Sequence, residues 1–138
     1  MAGFTFAYRL SGGGPTIQNL LFKDTETLTK GDLVNLETGE VDLLATADTA
    51  AVGAVLETKA GTDSTTYIRV ITDADAVYSV EDNNARLKGA TLDVAGATGA
   101  QTVATSSNKN FVVQAPSSAT EPTLVRFNVG KHVDNVAL

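Results

Sequence analysis

The sequence predicts an all-β fold, and three observations carry the prediction. Four short apolar runs, at 33–36, 41–44, 52–56 and 67–71, crowd the stretch between Thr29 and Ile71. Each is bounded by Gly, Asp, Thr or Ser. Residues 65–71 and 123–129 alternate apolar and polar side chains, the period of a half-buried strand. Short β-rich runs about 8–12 residues apart, separated by turn chemistry, mark a small sandwich or barrel. At 138 residues the chain has the length of one domain. The expected fold is therefore a small single-domain β-barrel or sandwich, jelly-roll or tulip-like, with an extended N-terminal arm.

The arm comes first in the chain. Residues 2–9 read AGFTFAYR, with Phe4, Phe6 and Tyr8 at alternate positions. Ser11-Gly12-Gly13-Gly14-Pro15 then breaks regular structure. Its glycines make a pliable joint, and Pro15 restricts the residue before it. An aromatic strand on such a joint can dock on a neighbouring subunit, which makes Phe4, Phe6, Tyr8 and Arg9 the candidate contact residues. The other reading is an edge strand folded back onto its own domain. The chain divides into an arm with its joint at 1–15, a β domain at 16–130 and a tail at 131–138.

Residues 19–23 are read as a strand, with a short helix as the alternative. Lys30-Gly31-Asp32 turns into the strand at 33–36. Residues 37–40 form a hairpin loop in which Gly39 can take a positive φ. Residues 45–51 could form one helical turn capped by Thr46 or Asp48. Gly53 inside the run 52–56 points to a bulge or a close backbone approach. In 65–71, Tyr67, Arg69 and Ile71 share one face, opposite Thr66, Ile68 and Val70. Strands are expected at 76–80 and 90–94, with one helical turn at 85–89 closed by Gly89. Residues 102–105 and 111–114 read as a pair across the polar loop 106–110. The last strand, 123–129, sets Val125, Phe127 and Val129 against Leu124, Arg126 and Asn128.

Composition bears on function. The formal net charge is −6, which argues against binding a phosphate backbone. Charged residues are only 19%, so much of the exterior is Thr, Ser, Ala and Gly. Such a surface suits contact with other subunits, and equally an ordinary Thr-rich sheet exterior. There is no Cys, which excludes disulfides and thiolate metal sites. No apolar run approaches the ~20 residues that span a bilayer, and the N-terminus does not read as a secretory signal. The expectation is no cofactor, no nucleic acid and no membrane.

Candidate chemistry is sparse. Gly12-Gly13-Gly14 lacks the Gly-Lys-Ser/Thr ending of a phosphate loop. Asp73, Asp75 and Asp82 invite comparison with a calcium loop, but Val77 and Tyr78 fall where that pattern needs a ligand and a glycine. His132 is the sole histidine and reads as a surface residue of the tail. Glu37 and Glu40 sit in a hairpin, where solubility explains them. Lys30-Gly31-Asp32 matches an adhesion tripeptide and also an ordinary turn; the turn is preferred. Tyr67, Tyr78 and Phe127 read as core. No catalytic constellation emerges, and the expectation is a protein that is not an enzyme.

The segments GDLVNLETGEV, AAVGAVLE, TTYIRVI, AVYSVE, KGATLDVAGATGAQTVATSSNKNFVV and LVRFNVGKH together resemble the small capsid decoration, or cement, proteins of tailed bacteriophages. The likeness covers roughly residues 28–132 and is most telling from Gly89 to Val113 with the closing strand 124–128. It rests on pattern and composition and transfers no catalytic residue. The resemblance implies a virion component, made in the host cytoplasm, on the exterior of the expanded capsid. It implies a homotrimer that cross-links neighbouring major capsid proteins. A cyclic oligomer matches lattice symmetry and multiplies weak contacts. Other readings are a tail-tube or head–tail joining subunit, or a small carbohydrate- or ligand-binding β module with loops 81–84 and 106–110 as its surface.

Overall fold

Two of the predicted runs are apolar on both faces, and these build the middle of the molecule. The computed structural model describes residues 3–21, 23, 26–61, 66–105 and 107–134. Strands β4 (Leu33–Glu37) and β6 (Ala51–Ala54) pair antiparallel, and β5 (Glu40–Leu43) joins the other side of β4. Leu33, Ala51 and Ala54 face one core, with Leu44 beside them. Val34, Val41 and Val52 face a second core on the opposite side. A continuous apolar run is what a strand buried on both faces requires.

The first core is closed by a six-stranded antiparallel sheet. Its order is β1 (Phe4–Arg9), β9 (Ala76–Val80), β13 (Thr123–Phe127), β12 (Phe111–Val113), β10 (Thr91–Ala95), β11 (Thr102–Thr105). Aromatic rings run across its inner face. Phe4 lies 5.4 Å from Phe111, Phe111 5.7 Å from Phe127, Phe127 6.0 Å from Tyr78, and Tyr78 6.4 Å from Phe6. Each such pair adds about 0.5–1.5 kcal/mol beyond its buried area. The second core is closed by the ribbon of β2 (Ile17–Leu21) and β8 (Tyr67–Ile71). Ile68 and Val70 point inward and Tyr67 and Arg69 outward. A short ladder of β3 (Thr27–Leu28) and β7 (Lys59–Ala60) lies beside it.

The all-β expectation holds: the described residues contain strands and turns and no helix. No sheet closes into a barrel, so the packing is that of a sandwich of open sheets. The two edges of the six-stranded sheet come together at one point, where Gly3 N–H donates to the Gln101 carbonyl at 2.9 Å. The expected helical turn at 45–51 is a reverse turn in which Ala45 N–H donates to the Asp48 carboxylate at 2.8 Å. The expected helical turn at 85–89 is instead a bridge of Arg86 with Ser117 followed by a reverse turn, in which Ala90 N–H donates to the Leu87 carbonyl and Gly89 takes a positive φ.

One pairing differs from expectation. Strands β11 and β12 do not pair with each other, because β10 lies between them. The cause is Asp93 on β10. Its carboxylate accepts the backbone N–H groups of Ser107, Asn108 and Lys109, which folds the connecting loop across the end of β10. Another difference concerns Tyr67, which is 53% exposed and outside the core. Val129 is also exposed, because the chain turns after Phe127.

Gly53 meets its expectation twice. The β4–β6 register shifts beside it, where Val34 opposes Gly53 and Asn35 opposes Ala51. A Cβ there would collide with the Ile71 carbonyl and meet the Tyr78 hydroxyl at 2.7 Å. Only glycine lets the Tyr78 hydroxyl come close enough to accept from Ala54 N–H at 3.3 Å.

Three buried polar side chains tie the layers together. Asp32 accepts from Thr29 N–H, Gly99 N–H and the Thr98 hydroxyl. Asn110 accepts from Val94 N–H and donates to the Thr46 carbonyl. Gln101, fully buried, accepts from Leu33 N–H at 2.6 Å and donates to the Leu44 carbonyl at 3.2 Å. Gln101→Met keeps the shape and removes these bonds, together with a longer one to the Leu33 carbonyl at 3.4 Å. A buried group stripped of its partner costs about 1–3 kcal/mol, so the variant should lose about 2–5 kcal/mol in urea unfolding. A loss below about 1 kcal/mol would show that the amide is dispensable.

Candidate functional site

The candidate contact residues all lie on β1. It pairs with β9, and among the described residues no strand lies on its other side. The expected arm is thus an edge strand of the chain's own sheet. The reason is the ring chain: Phe4 is 2% exposed and Phe6 packs on Tyr78, so lifting the strand away would open the core. The boundary expected at 15 does not separate β1 from the β domain.

The register places Phe4 opposite Val80 and Phe6 opposite Tyr78, both facing inward. A bulge at Ala7 then shifts the pairing, so that Tyr8 opposes Val77 and Arg9 opposes Ala76. An extra residue reverses which side chains face the core. Tyr8 therefore leaves the face it shares with Phe4 and Phe6 in the sequence pattern, and is 41% exposed. Arg9 turns instead to two carboxylates, with Nε 3.0 Å from Asp75 and 3.4 Å from Asp73.

Those carboxylates also hold the glycine-rich joint. Asp75 accepts from the Ser11 amide at 3.0 Å and from the Ser11 hydroxyl. Asp73 accepts from Thr16 N–H at 2.6 Å. Both ends of the joint are pinned to one turn, while Gly12, Gly13 and Gly14 have no neighbour against a would-be Cβ. Asp73 and Asp75 thus serve the joint, whereas Asp82 pairs with Arg86 and Thr123 elsewhere. Among the described residues no group of three carboxylate or imidazole side chains is placed to hold a metal ion.

Along the free side of β1 runs a groove of about 590 Å³. Phe4, Thr5 and Phe6 form one wall, and Ala54, Val55 and Leu56 with Ile71 form the other. Lys30 and Gly31 close one end, and among the described residues Lys30 is the only charged one in the lining. Phe4 N–H donates across the end of the groove to the Gly31 carbonyl at 2.8 Å. Antiparallel ladders alternate the direction of their peptide groups. The N–H and C=O of Phe6 therefore point into the groove as well. An unpaired strand edge beside an apolar trough is suited to accept one more extended segment.

The remaining candidates are structural. Asp32 of the Lys30-Gly31-Asp32 turn is fully buried and cannot be displayed to a receptor. A smaller polar cleft of about 320 Å³ lies at the far end of β9, between loop 81–84 and residues 119–122. His132, expected at the surface, is 0% exposed and packs on Phe127 at 5.4 Å. Sequence reading missed the groove, because its walls come from segments about fifty residues apart. Gly53, which brings β6 against Ile71, was the one available signal.

No known family of proteins matches the chain, and no curated protein does either.

The joint has a pH signature. The Ser11 hydroxyl, with the Ser11 amide and Arg9, outweighs partial burial and brings the Asp75 carboxyl down to about 2. The unfolded value is about 3.9. Its stabilisation is therefore complete above about pH 4 and is lost as pH falls toward 2. Asp75→Asn should unfold at a lower temperature at pH 7 and vary less between pH 4 and 2 than the parent. Equal slopes in the two proteins would contradict the assignment.

Proposed function

We propose that this chain is a non-enzymatic virion structural protein that decorates the outside of an expanded bacteriophage capsid. In this reading it binds as a homotrimer and cross-links neighbouring major capsid proteins. The observation that carries the proposal is the open edge of β1 with its apolar groove. A strand from a coat subunit laid along β1 would gain main-chain hydrogen bonds at Phe6 and bury side chains against Phe6 and Leu56. Backbone pairing supplies affinity with little demand on sequence, which suits contact with a repeating lattice.

The low charge of the surface supports the same reading, as does the resemblance over residues 28–132. Attachment to the expanded lattice alone would stabilise that state by mass action. Three linked sites would multiply individually weak contacts.

Co-sedimentation with expanded and unexpanded shells of the cognate coat protein tests this. Saturable binding to expanded shells alone is expected. Leu56→Lys should weaken that binding at least about tenfold, because a cation is set into an apolar contact, while cooperative unfolding is retained. Absence of binding to either shell, with assembly of the free chain into rings or tubes, would favour a tail or joining subunit instead.

A further inference from the structure

The buried histidine sits where residues 131–134 are fastened to the sandwich. After β13 the chain turns through Asn128 to Lys131, with Lys131 N–H donating to the Asn128 carbonyl at 3.1 Å. Residues 131–134 then lie alongside the start of β6. Ala51 N–H donates to the Lys131 carbonyl at 3.0 Å, and Val133 N–H donates to the Ala51 carbonyl at 2.8 Å. His132 makes a parallel bridge with Ala51, and Val133 packs against the second core.

The ring has a single compatible form. Nε2 lies 2.8 Å from the Val52 carbonyl, which can only accept, so Nε2 carries the hydrogen. Nδ1 lies 3.0 Å from the Asp134 N–H, which can only donate, so Nδ1 must be bare. The imidazole is therefore neutral, with both nitrogens satisfied and one face against Phe127. A proton added at Nδ1 would set N–H against N–H in a site without solvent access.

We propose that His132 is an acid-sensitive latch: its protonation releases the segment 131–134 from β6 while the six-stranded sheet stays folded. The charges that act on the ring are Asp134 on its own segment and Asp73 in the turn between β8 and β9, and both favour the protonated form. Lys131 lies on the same segment. The residues of β6 and β13 against the ring offer it the Val52 carbonyl and the Phe127 ring. Burial outweighs these attractions and holds the imidazole below its ordinary value.

The sign follows from linkage. The released segment titrates near about 6.5 and the latched one lower. The latch is therefore fully held above about 6.5 and weakens below it, by up to about tenfold in opening per pH unit. The rise in opening levels off at the pKa of the latched form, below which both states are protonated.

Amide hydrogen exchange on the whole chain, corrected for intrinsic rates, reads the opening from pH 7.5 to 5. The Ala51 and Val133 amides should open about tenfold more per unit below 6.5, while the amides of β9 and β13 keep their protection. His132→Gln, whose amide can still donate to Val52 but does not titrate, should show no such rise. Unchanged protection at Ala51 and Val133 down to pH 5 would overturn the proposal. So would an equal rise in His132→Gln, or a loss shared by all the strands. Should the variant not fold, the ring resonances of the parent decide. Titration at about 6.5 with Ala51 and Val133 still protected would also overturn it.

Discussion

The fold depends on the way Gln101 replaces a missing strand pairing. The six-stranded sheet and the β5–β4–β6 sheet meet face to face, and sheets packed this way share no backbone ladder. Leu33, at the start of β4, would leave its N–H facing the first core. The Gln101 amide supplies an acceptor for that N–H and a donor for the Leu44 carbonyl. Its own backbone carbonyl takes the Gly3 N–H and draws the two edges of the large sheet together. One residue thus fixes the register between layers through its side chain and the curl of the sheet through its backbone. Asp32 and Asn110 do similar service on either side. Such groups are costly if unpaired, so they select one arrangement among many apolar packings of similar energy.

The middle strands carry the consequence outward. β6 is buried on both faces, and its bulge at Gly53 brings it under the Ile71 carbonyl and within reach of Tyr78. From there Ala54, Val55 and Leu56 run on as one wall of the groove beside β1. The same strand begins where His132 fastens the C-terminal segment. Core packing, groove and latch therefore share a single strand, and a disturbance of β6 is felt at all three.

Much of this was legible in the sequence. The runs at 33–36 and 52–56 announced strands, and Gly53 announced its bulge. Alternation correctly divided Ile68 and Val70 from Tyr67 and Arg69, and Val125 and Phe127 from Leu124 and Arg126. What failed were features set by side chains distant in sequence. Asp93 gathers the amides of Ser107, Asn108 and Lys109, and β10 lies between two strands that local reading pairs. The bulge at Ala7 breaks the period that grouped Tyr8 with Phe4 and Phe6. The burial of His132 follows from the Val52 carbonyl, eighty positions earlier in the chain. A lone polar residue in a tail gives no local hint of such a partner.

β1 is a structural edge and the proposed contact surface, a combination that natural sheets usually protect by charge or cover. Here the edge ends in Arg9, held by Asp73 and Asp75, and the groove carries Lys30 alone among the described residues. The most direct test is hydrogen exchange of the chain on expanded shells, compared with the free chain. New protection should fall on the amide of Phe6, with the β2–β8 face unchanged. Protection confined to Tyr67, Arg69 and the neighbouring residues of β2, with Phe6 still exchanging freely, would contradict it.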